Sequence, residues 1–451
     1  MAELEKAGVP TVGIVDRTFE KNWKASSSVF GVKVLRKLLV PRPLVGLKAE
    51  DVYPYVDAVF EELVKALTEP MTDELPEAAV AGQTEIIRID GEDRYAALES
   101  MNRLFLERGW GDGFPLWAPT RERVDEMLAG TSKPPSHLLA VLSPGKGQAT
   151  VEKIAINAVM AGCEPQHLPV LLAAVDAMND SRYMLRNVAM STGAHAPFML
   201  LNGPIVKQLG VNSGRCALGP GAQSSVNTVL GRAIRLIMMN VGHAYPGVMD
   251  MDTLGTPAKY SMCLGEAEDE SAWEPFHVDR GFQSDQSVVT MFSTYGLTEV
   301  EDNNGTSPEE ILDTACSNGC ARGVKSVGFW LLGWRADAQA AVAVKETHQL
   351  IICPVHASIF KKAGWSRQQV REYMFAHARL PFRELMANTE PAAFRDAHPK
   401  LQWLWDSPET RIPVLETAEC FDVMVAGGMG GRSAYSYGAA EPVSRSIDDW
   451  R

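Results

Sequence analysis

The chain has 451 residues, 46% of them hydrophobic and 22% charged, the balance of a soluble globular protein with room for two or three domains. Its formal charge of −13 argues against nucleic acid or an anionic membrane surface as the main partner, while leaving room for a locally basic pocket. No apolar run reaches the roughly 18–20 residues of a membrane span, and MAELEKAGVP lacks the apolar core of a signal peptide, so the cytoplasm is the expected compartment.

Residues 1–7 read as the tail of a helix stopped by Gly8, followed by a buried strand at 9–15 and a loop and helix at 16–28. A second strand spans 36–44 and ends at Pro41 and Pro43. Residues 49–67 form an amphipathic helix with Val52, Val56, Phe60, Leu63 and Leu67 on one face. The alternation is that of half a doubly wound α/β unit, and it opens on a helix tail where a parallel sheet normally opens on a strand. The expected class is therefore α/β, with a truncated doubly wound half-domain at 1–70 followed by a large mixed α/β domain at 94–451. The missing half is expected upstream or on another subunit, which also makes an oligomer the expectation. Residues 71–93 are rich in Pro, Glu and Asp and read as a linker, with EIIRI (85–89) as a short strand.

Residues 94–108 predict a helix with Tyr95, Leu98, Met101, Leu104 and Phe105 inward. GWGDGFPLWAP (109–119) is glycine-rich. Gly111 and Asp112 lie where backbone N–H groups can converge on an anion, and a tight core-crossing loop explains the glycines equally well. In SPGKGQATVEK (143–153), Gly145, Lys146 and Gly147 precede a helix N-terminus, an anion-site arrangement without Walker A spacing. Residues 149–178 predict two apolar helices with a corner at Gly162 and Pro165, and the first carries Glu152, Lys153 and Asn157. Ionisable groups on an apolar hairpin point to acid–base or binding work. The bland alternative is a dipole-favoured Glu152 and a solvated Lys153.

FMLLNGPI (198–205) reads as strand and turn, and 228–242 as a helix. The hydrogen-bonding residues around them offer Asn212, Ser213, Asn240 and His243 as substrate ligands. His277 adds an acid–base candidate. Strands at 288–294 and 350–353 enclose a helix opened by a Ser307–Glu310 capping box. CPVHASIFKKAGW then passes from strand into helix, placing Cys353 beside a helix N-terminus and His356 in its first turn. The helix dipole should disfavour the His356 cation, leaving a neutral base or metal ligand. A further helix is expected at 366–386, and a strand at 421–428 runs into a glycine-rich segment. The seven cysteines are odd in number and scattered, as reduced thiols are. Cys316 and Cys320 form one CxxxC with no further ligands nearby, which argues against structural zinc. His243, Glu266, Glu268, His277 and His356 could converge on a metal, though their spacing does not show it, and no motif specifies a cofactor. No internal repeat is visible.

The segments 3–19, 109–131, 149–178, 200–214, 258–282 and 353–379 together resemble the UGSC family of prokaryotic proteins and selenoproteins, named for a selenocysteine-Gly-Ser-Cys motif. The resemblance implies that this motif would stand just upstream of the opening helix. It implies thiol- or selenol-assisted redox or C–X bond cleavage on a small organic substrate, since a low-pKa chalcogenolate is a strong nucleophile and electron donor. Two alternatives remain from the residues themselves. One is a lyase or hydrolase with acid–base chemistry wholly in the large domain, through Glu152, Lys153, Asn157, His243, His277 and His356. The other is a non-catalytic binding or assembly subunit.

Overall fold

The structure is a computed structural model. It describes residues 1–30, 35–41, 49–69, 86–323, 330–331, 336–337, 342–343, 345–385, 395, 399–438 and 440–451. Helix α1 (Ala2–Lys6) turns at Gly8, whose φ of +77° suits a residue without a Cβ. Strand β1 (Gly13–Asp16), helix α2 (Glu20–Val29), strand β2 (Lys37–Val40) and helix α3 (Ala49–Thr68) follow, close to the expected order. β1 and β2 pair in parallel from Gly13 opposite Lys37 to Asp16 opposite Val40. Buried Glu5 accepts from Thr11 and Arg36 and so ties α1 to both strands. A two-stranded layer covers little: Val15, Leu38 and Val40 are buried, but Ile14 is half exposed. For the same reason Phe60 and Leu67, expected on the inner face of α3, remain exposed.

Residues 86–90 have no ladder partner, so the strand expected at 85–89 is not formed among its described residues; most of the linker lies outside them. Helices α4 (Arg94–Glu107) and α5 (Arg121–Leu128) lead to an unexpected hairpin, β3 (Leu138–Leu142) and β4 (Gly147–Thr150). The glycine–lysine–glycine stretch is therefore a hairpin turn, separated by β4 from the helix it was expected to abut. The predicted helix pair is α6 (Val151–Ala161) and α7 (Leu168–Asn179), and Gly162 caps the first at φ +90°. Next come α8 (Leu185–Met190), β5 (Ala196–Asn202), α9 (Pro204–Leu209), α10 (Ser225–Asn240), β6 (Cys263–Gly265), α11 (Phe276–Asp279), β7 (Val288–Thr294), β8 (Leu297–Glu301) and α12 (Pro308–Ala315). A two-residue ribbon (β9 Ala336–Asp337, β10 Val342–Ala343) precedes β11 (His348–Ile352), α13 (Pro354–Ala363) and α14 (Arg367–His377). The helix expected at 366–386 is thus broken by a small ribbon, β12 (Arg379–Pro381) with β13 (Arg411–Pro413). β14 (Phe421–Val425), β15 (Arg432–Tyr437) and β16 (Val443–Ser446) complete the chain.

Two four-stranded mixed sheets form the centre, in the orders β16-β7-β5-β6 and β8-β15-β11-β14. Alternation along their strands defines the layers. Met199 and Leu201 of β5 face a core shared with α6, α7 and α10. Phe198, Leu200 and Phe292 face the other way, onto Ile351 and Met424 of the second sheet. Leu350, Ile352, Val423 and Val425 pack outward against α12, α13 and α14. The result is helix, sheet, sheet, helix in four layers, with β5, β6, β7, β11 and β14 buried throughout and the outer strand β8 largely exposed.

The two sheets repeat one pattern: two antiparallel pairings followed by one parallel pairing. Each exchanges its outer strand with the other, since β7 runs on into β8 and β15 into β16. The crossing points carry FSTYG (292–296) and AYSYG (434–438), which share Tyr-Gly and set Thr294 opposite Ser436. There Thr294 and Ser436 hydroxyls meet at 2.8 Å, and Tyr295 stacks on Tyr437 with centroids 5.0 Å apart. A Cβ on Gly438 would lie 2.0 Å from the Ser293 carbonyl oxygen, so glycine is needed where the chains cross. Among the described residues no helix is long and apolar enough to cross a membrane.

Candidate functional site

The carboxyl ends of the parallel pairs β5–β6 and β11–β14 meet at one edge, the usual ligand edge of a parallel arrangement. Glu266, just past β6, accepts from the Val425 N–H at the end of β14, and the Ala267 N–H donates to the Val425 carbonyl. At this edge β11 ends in Cys353, the N-cap of α13, with Pro354 at the first helical position. The Cys353 N–H donates to Ser433 Oγ at 3.0 Å. The same hydroxyl lies 2.7 Å from His356 Nδ1, and His356 Nε2 lies 2.8 Å from the Asp302 carbonyl oxygen. A carbonyl only accepts, so Nε2 carries a proton, while Nδ1 shares a hydrogen bond with the Ser433 hydroxyl. Asp302 is joined in turn to the glycine loop, its N–H donating to the Gly431 carbonyl. A Cβ on Gly428 would lie 2.9 Å from Arg215 Cβ, so the glycine loop is pressed against residues 213–215.

Burial pushes the Cys353 thiol up, but the His356 ring and backbone N–H pull it down to about 7. Burial likewise opposes the His356 cation, yet Cys353 and the Asp302 carbonyl raise the imidazole above its ordinary value. The expected depression by the helix dipole is overturned, because a thiolate and a carbonyl in contact outweigh partial charges at a helix end. Burial raises the thiols of Cys163, Cys263, Cys316, Cys320 and Cys420.

At the other half of the edge, the Asn202 amide bridges Glu266 and Glu268 at 2.5 and 3.0 Å. Glu268 also accepts the Gly203 N–H at 2.7 Å. The expected His277 is fully buried, with Nε2 3.1 Å from the Gln283 carbonyl and Nδ1 3.8 Å from Glu268. Burial holds its pKa below the ordinary value.

Of the residues expected around the α6–α7 hairpin, the structure unites some and separates others. Asn157 Oδ1 accepts from Asn240 Nδ2 at 2.7 Å, and that amide also reaches the Trp110 carbonyl at 3.0 Å. Lys153 is close enough to His243 to help burial depress the imidazole. Lys146 occupies the hairpin turn that packs on His243. Glu152 turns away to Arg121 at 3.0 Å. Gly111 packs against Leu106 and Leu116. Asn212 and Ser213 belong to the other edge: Asn212 is locked by Asn227, Ser224 and the Arg215 carbonyl, while the Ser213 carbonyl receives the Gly427 N–H. A cavity of about 230 Å³ at the α6–α7 corner is lined by Trp117, Arg123, Cys163 and Glu164.

Asp112 is held in a two-bond clamp by Arg232, at 2.7 and 2.9 Å, with its side chain 2% exposed. Asp112→Ala is therefore expected to cost about 3 kcal/mol by stranding the guanidinium. Urea denaturation of the variant checks this, and an unchanged midpoint would exclude a structural clamp.

Ser433, Asp302 and Asn202 were not anticipated. They stand far along the chain from the groups they touch, and no spacing signals them. Among the described residues no three His, Cys, Asp or Glu side chains are grouped to hold a metal, and His243 and His356 do not join Glu266, Glu268 and His277.

The UGSC family model matches residues 2–69, spanning α1 to α3. The segments at 109–131, 149–178, 200–214, 258–282 and 353–379, which also suggested that family, lie outside the match. No curated protein and no solved structure matches the chain. The matched residues contain no cysteine; the first in the chain is Cys163.

Proposed function

We propose, from the match of the UGSC family model to residues 2–69 and from the site geometry, a thiol-dependent enzyme acting on a small organic substrate, with Cys353 as nucleophile and His356 as its proton partner. One observation carries the reading: Cys353 is pulled down to about 7, whereas burial pushes up the thiols of Cys163, Cys263, Cys316, Cys320 and Cys420. The thiolate attacks an electrophilic carbon or sulfur. The bond to the leaving group X breaks with its electron pair on X, and the proton taken from Cys353 passes from His356 to X. At carbon this leaves the substrate carbon on Cys353 until water or an external thiol discharges it, completing C–X cleavage by substitution; at sulfur it gives a mixed disulfide that two external thiols discharge, becoming a disulfide themselves as the substrate is reduced. Cys353 is 1% exposed, so substrate enters by displacing the glycine segment 427–431. Residues 1–70 act in this reading as half of a doubly wound unit, held by Asn22 and Ser26 of α2 on the carbonyls of Gly247 and Val248. A cytoplasmic setting and an oligomer accompany the proposal.

A second reading rests on Asn202, Glu268 and His277: a neutral imidazole beside a carboxylate suits proton transfer without a thiol. Limited alkylation at pH 7 with a small uncharged reagent, followed by peptide mass mapping, separates the two. Cys353 should be modified well ahead of the buried Cys316 and Cys420. Modification at their rate would reject the nucleophile and favour the second reading.

A further inference from the structure

We propose that Lys146, Lys153 and His243 form a binding site for a small oxyanion, the phosphate or carboxylate group of a metabolite. The site is built by the β3–β4 turn, the first turn of α6 and the segment after α10, and shares no residue with the Cys353 group. Both lysines are exposed, and no carboxylate lies within ion-pair distance of either among the described residues. Acids close by in sequence or space are already engaged, Glu152 by Arg121 and Asp112 by Arg232. In a chain of net charge −13, Lys153 beside the imidazole, with Lys146 on the turn packed against it, is a local reversal of sign. Such a reversal attracts small anions.

The backbone is shaped for the purpose. Lys146 and His243 have φ of +59° and +58°, the left-handed region that side chains other than glycine avoid. Such residues persist where surrounding contacts over-determine them, often at ligand sites. Here the contacts are close. A Cβ on Gly145 would lie 2.4 Å from His243 Cβ, and one on Gly147 would lie 1.8 Å from the Val241 carbonyl oxygen. The Gly145 N–H donates to the Gly242 carbonyl at 2.8 Å. The turn and the His243 segment therefore hold each other in place, and Asn157 and Asn240 brace the helices beneath. Burial and Lys153 hold His243 below its ordinary pKa, so near neutral pH it offers an N–H donor while the lysines supply the charge. The same segment continues to Gly247 and Val248, where α2 docks, which places the anion beside the UGSC segment.

Calorimetric titration of the full chain with inorganic phosphate, and separately with acetate, tests the site at constant ionic strength. Saturable binding is expected, with the tighter of the two anions naming the group recognised. Lys153→Gln and Lys146→Gln should each weaken that binding at least tenfold. Lys207→Gln, which removes an equally exposed lysine paired with Asp269, should leave it unchanged. The proposal is overturned if neither anion binds saturably, or if Lys207→Gln weakens binding as much as Lys153→Gln.

Discussion

His356→Gln is expected to reverse the order of thiol reactivity between pH 7 and pH 10. The imidazole is what holds Cys353 near 7 against an ordinary 9.0, so the variant thiol returns toward 9.0. At pH 7 the thiolate fraction then falls from about one half to about 1%, roughly fiftyfold, while higher basicity restores about eightfold in intrinsic nucleophilicity. The net loss is about sixfold. At pH 10 both thiols are ionised, and the more basic thiolate of the variant should react about eightfold faster. Rates of disulfide exchange with a small neutral reagent, measured at Cys353 from pH 6 to 10, reveal the crossover. Profiles that stay parallel over this range would show that His356 does not set the thiol. His356 is fully buried with both ring nitrogens engaged, so the variant should also lose about 1–3 kcal/mol of stability. The rates are accordingly compared at temperatures where both proteins are folded.

What the sequence disclosed and what it hid follow from the range of the interactions. β7 is legible as VVTMFST, and α10 from the spacing of Leu230, Ile234 and Ile237, because local periodicity reports burial directly. The turn from Cys353 into α13 is legible too, since proline at the first helical position is a local signal. Strand pairing is not local. Nothing in VSRS (443–446) says that it pairs with β7 rather than with β15, which directly precedes it. The exchange of outer strands therefore stayed hidden, and so did the repeat, whose trace in sequence is a shared Tyr-Gly preceded by Thr in one copy and Ser in the other. The site divides in the same way. Cys353 and His356 stand three residues apart, but Ser433 and Asp302 lie 77 and 54 residues from the histidine they touch. Glu152 was misplaced for the converse reason. A helical wheel gives its direction, but its partner Arg121 is 31 residues away on another helix.

Glu266 sits where the two halves of the sheet system join, and its removal should be among the most damaging substitutions in the chain. Its carboxyl receives the Asn202 amide at 2.5 Å, the Phe276 N–H at 2.6 Å and the Val425 N–H at 3.3 Å, and the residue is 2% exposed. Glu266→Ala leaves these donors facing a void and is expected to cost about 3–5 kcal/mol. Glu266→Gln tests the charge separately. Burial pushes the carboxyl up from 4.5 to about 7, although those donors and Arg367 pull the other way. The folded chain thus keeps a proton between pH 4.5 and about 7 that the unfolded chain has released. The stabilisation from this group is complete below pH 4.5 and is lost as the pH rises to about 7, by at most about 1.4 kcal/mol per pH unit. Glutamine has no proton to lose. The stability difference between wild type and Glu266→Gln should therefore slope downward across this window and level off above it. Asp422, also raised by burial, is present in both proteins and cancels. Urea denaturation at half-unit pH steps gives the difference curve directly. A flat curve from pH 4.5 to 7 would mean that Glu266 is an ordinary buried carboxylate, ionised throughout and held by its three donors.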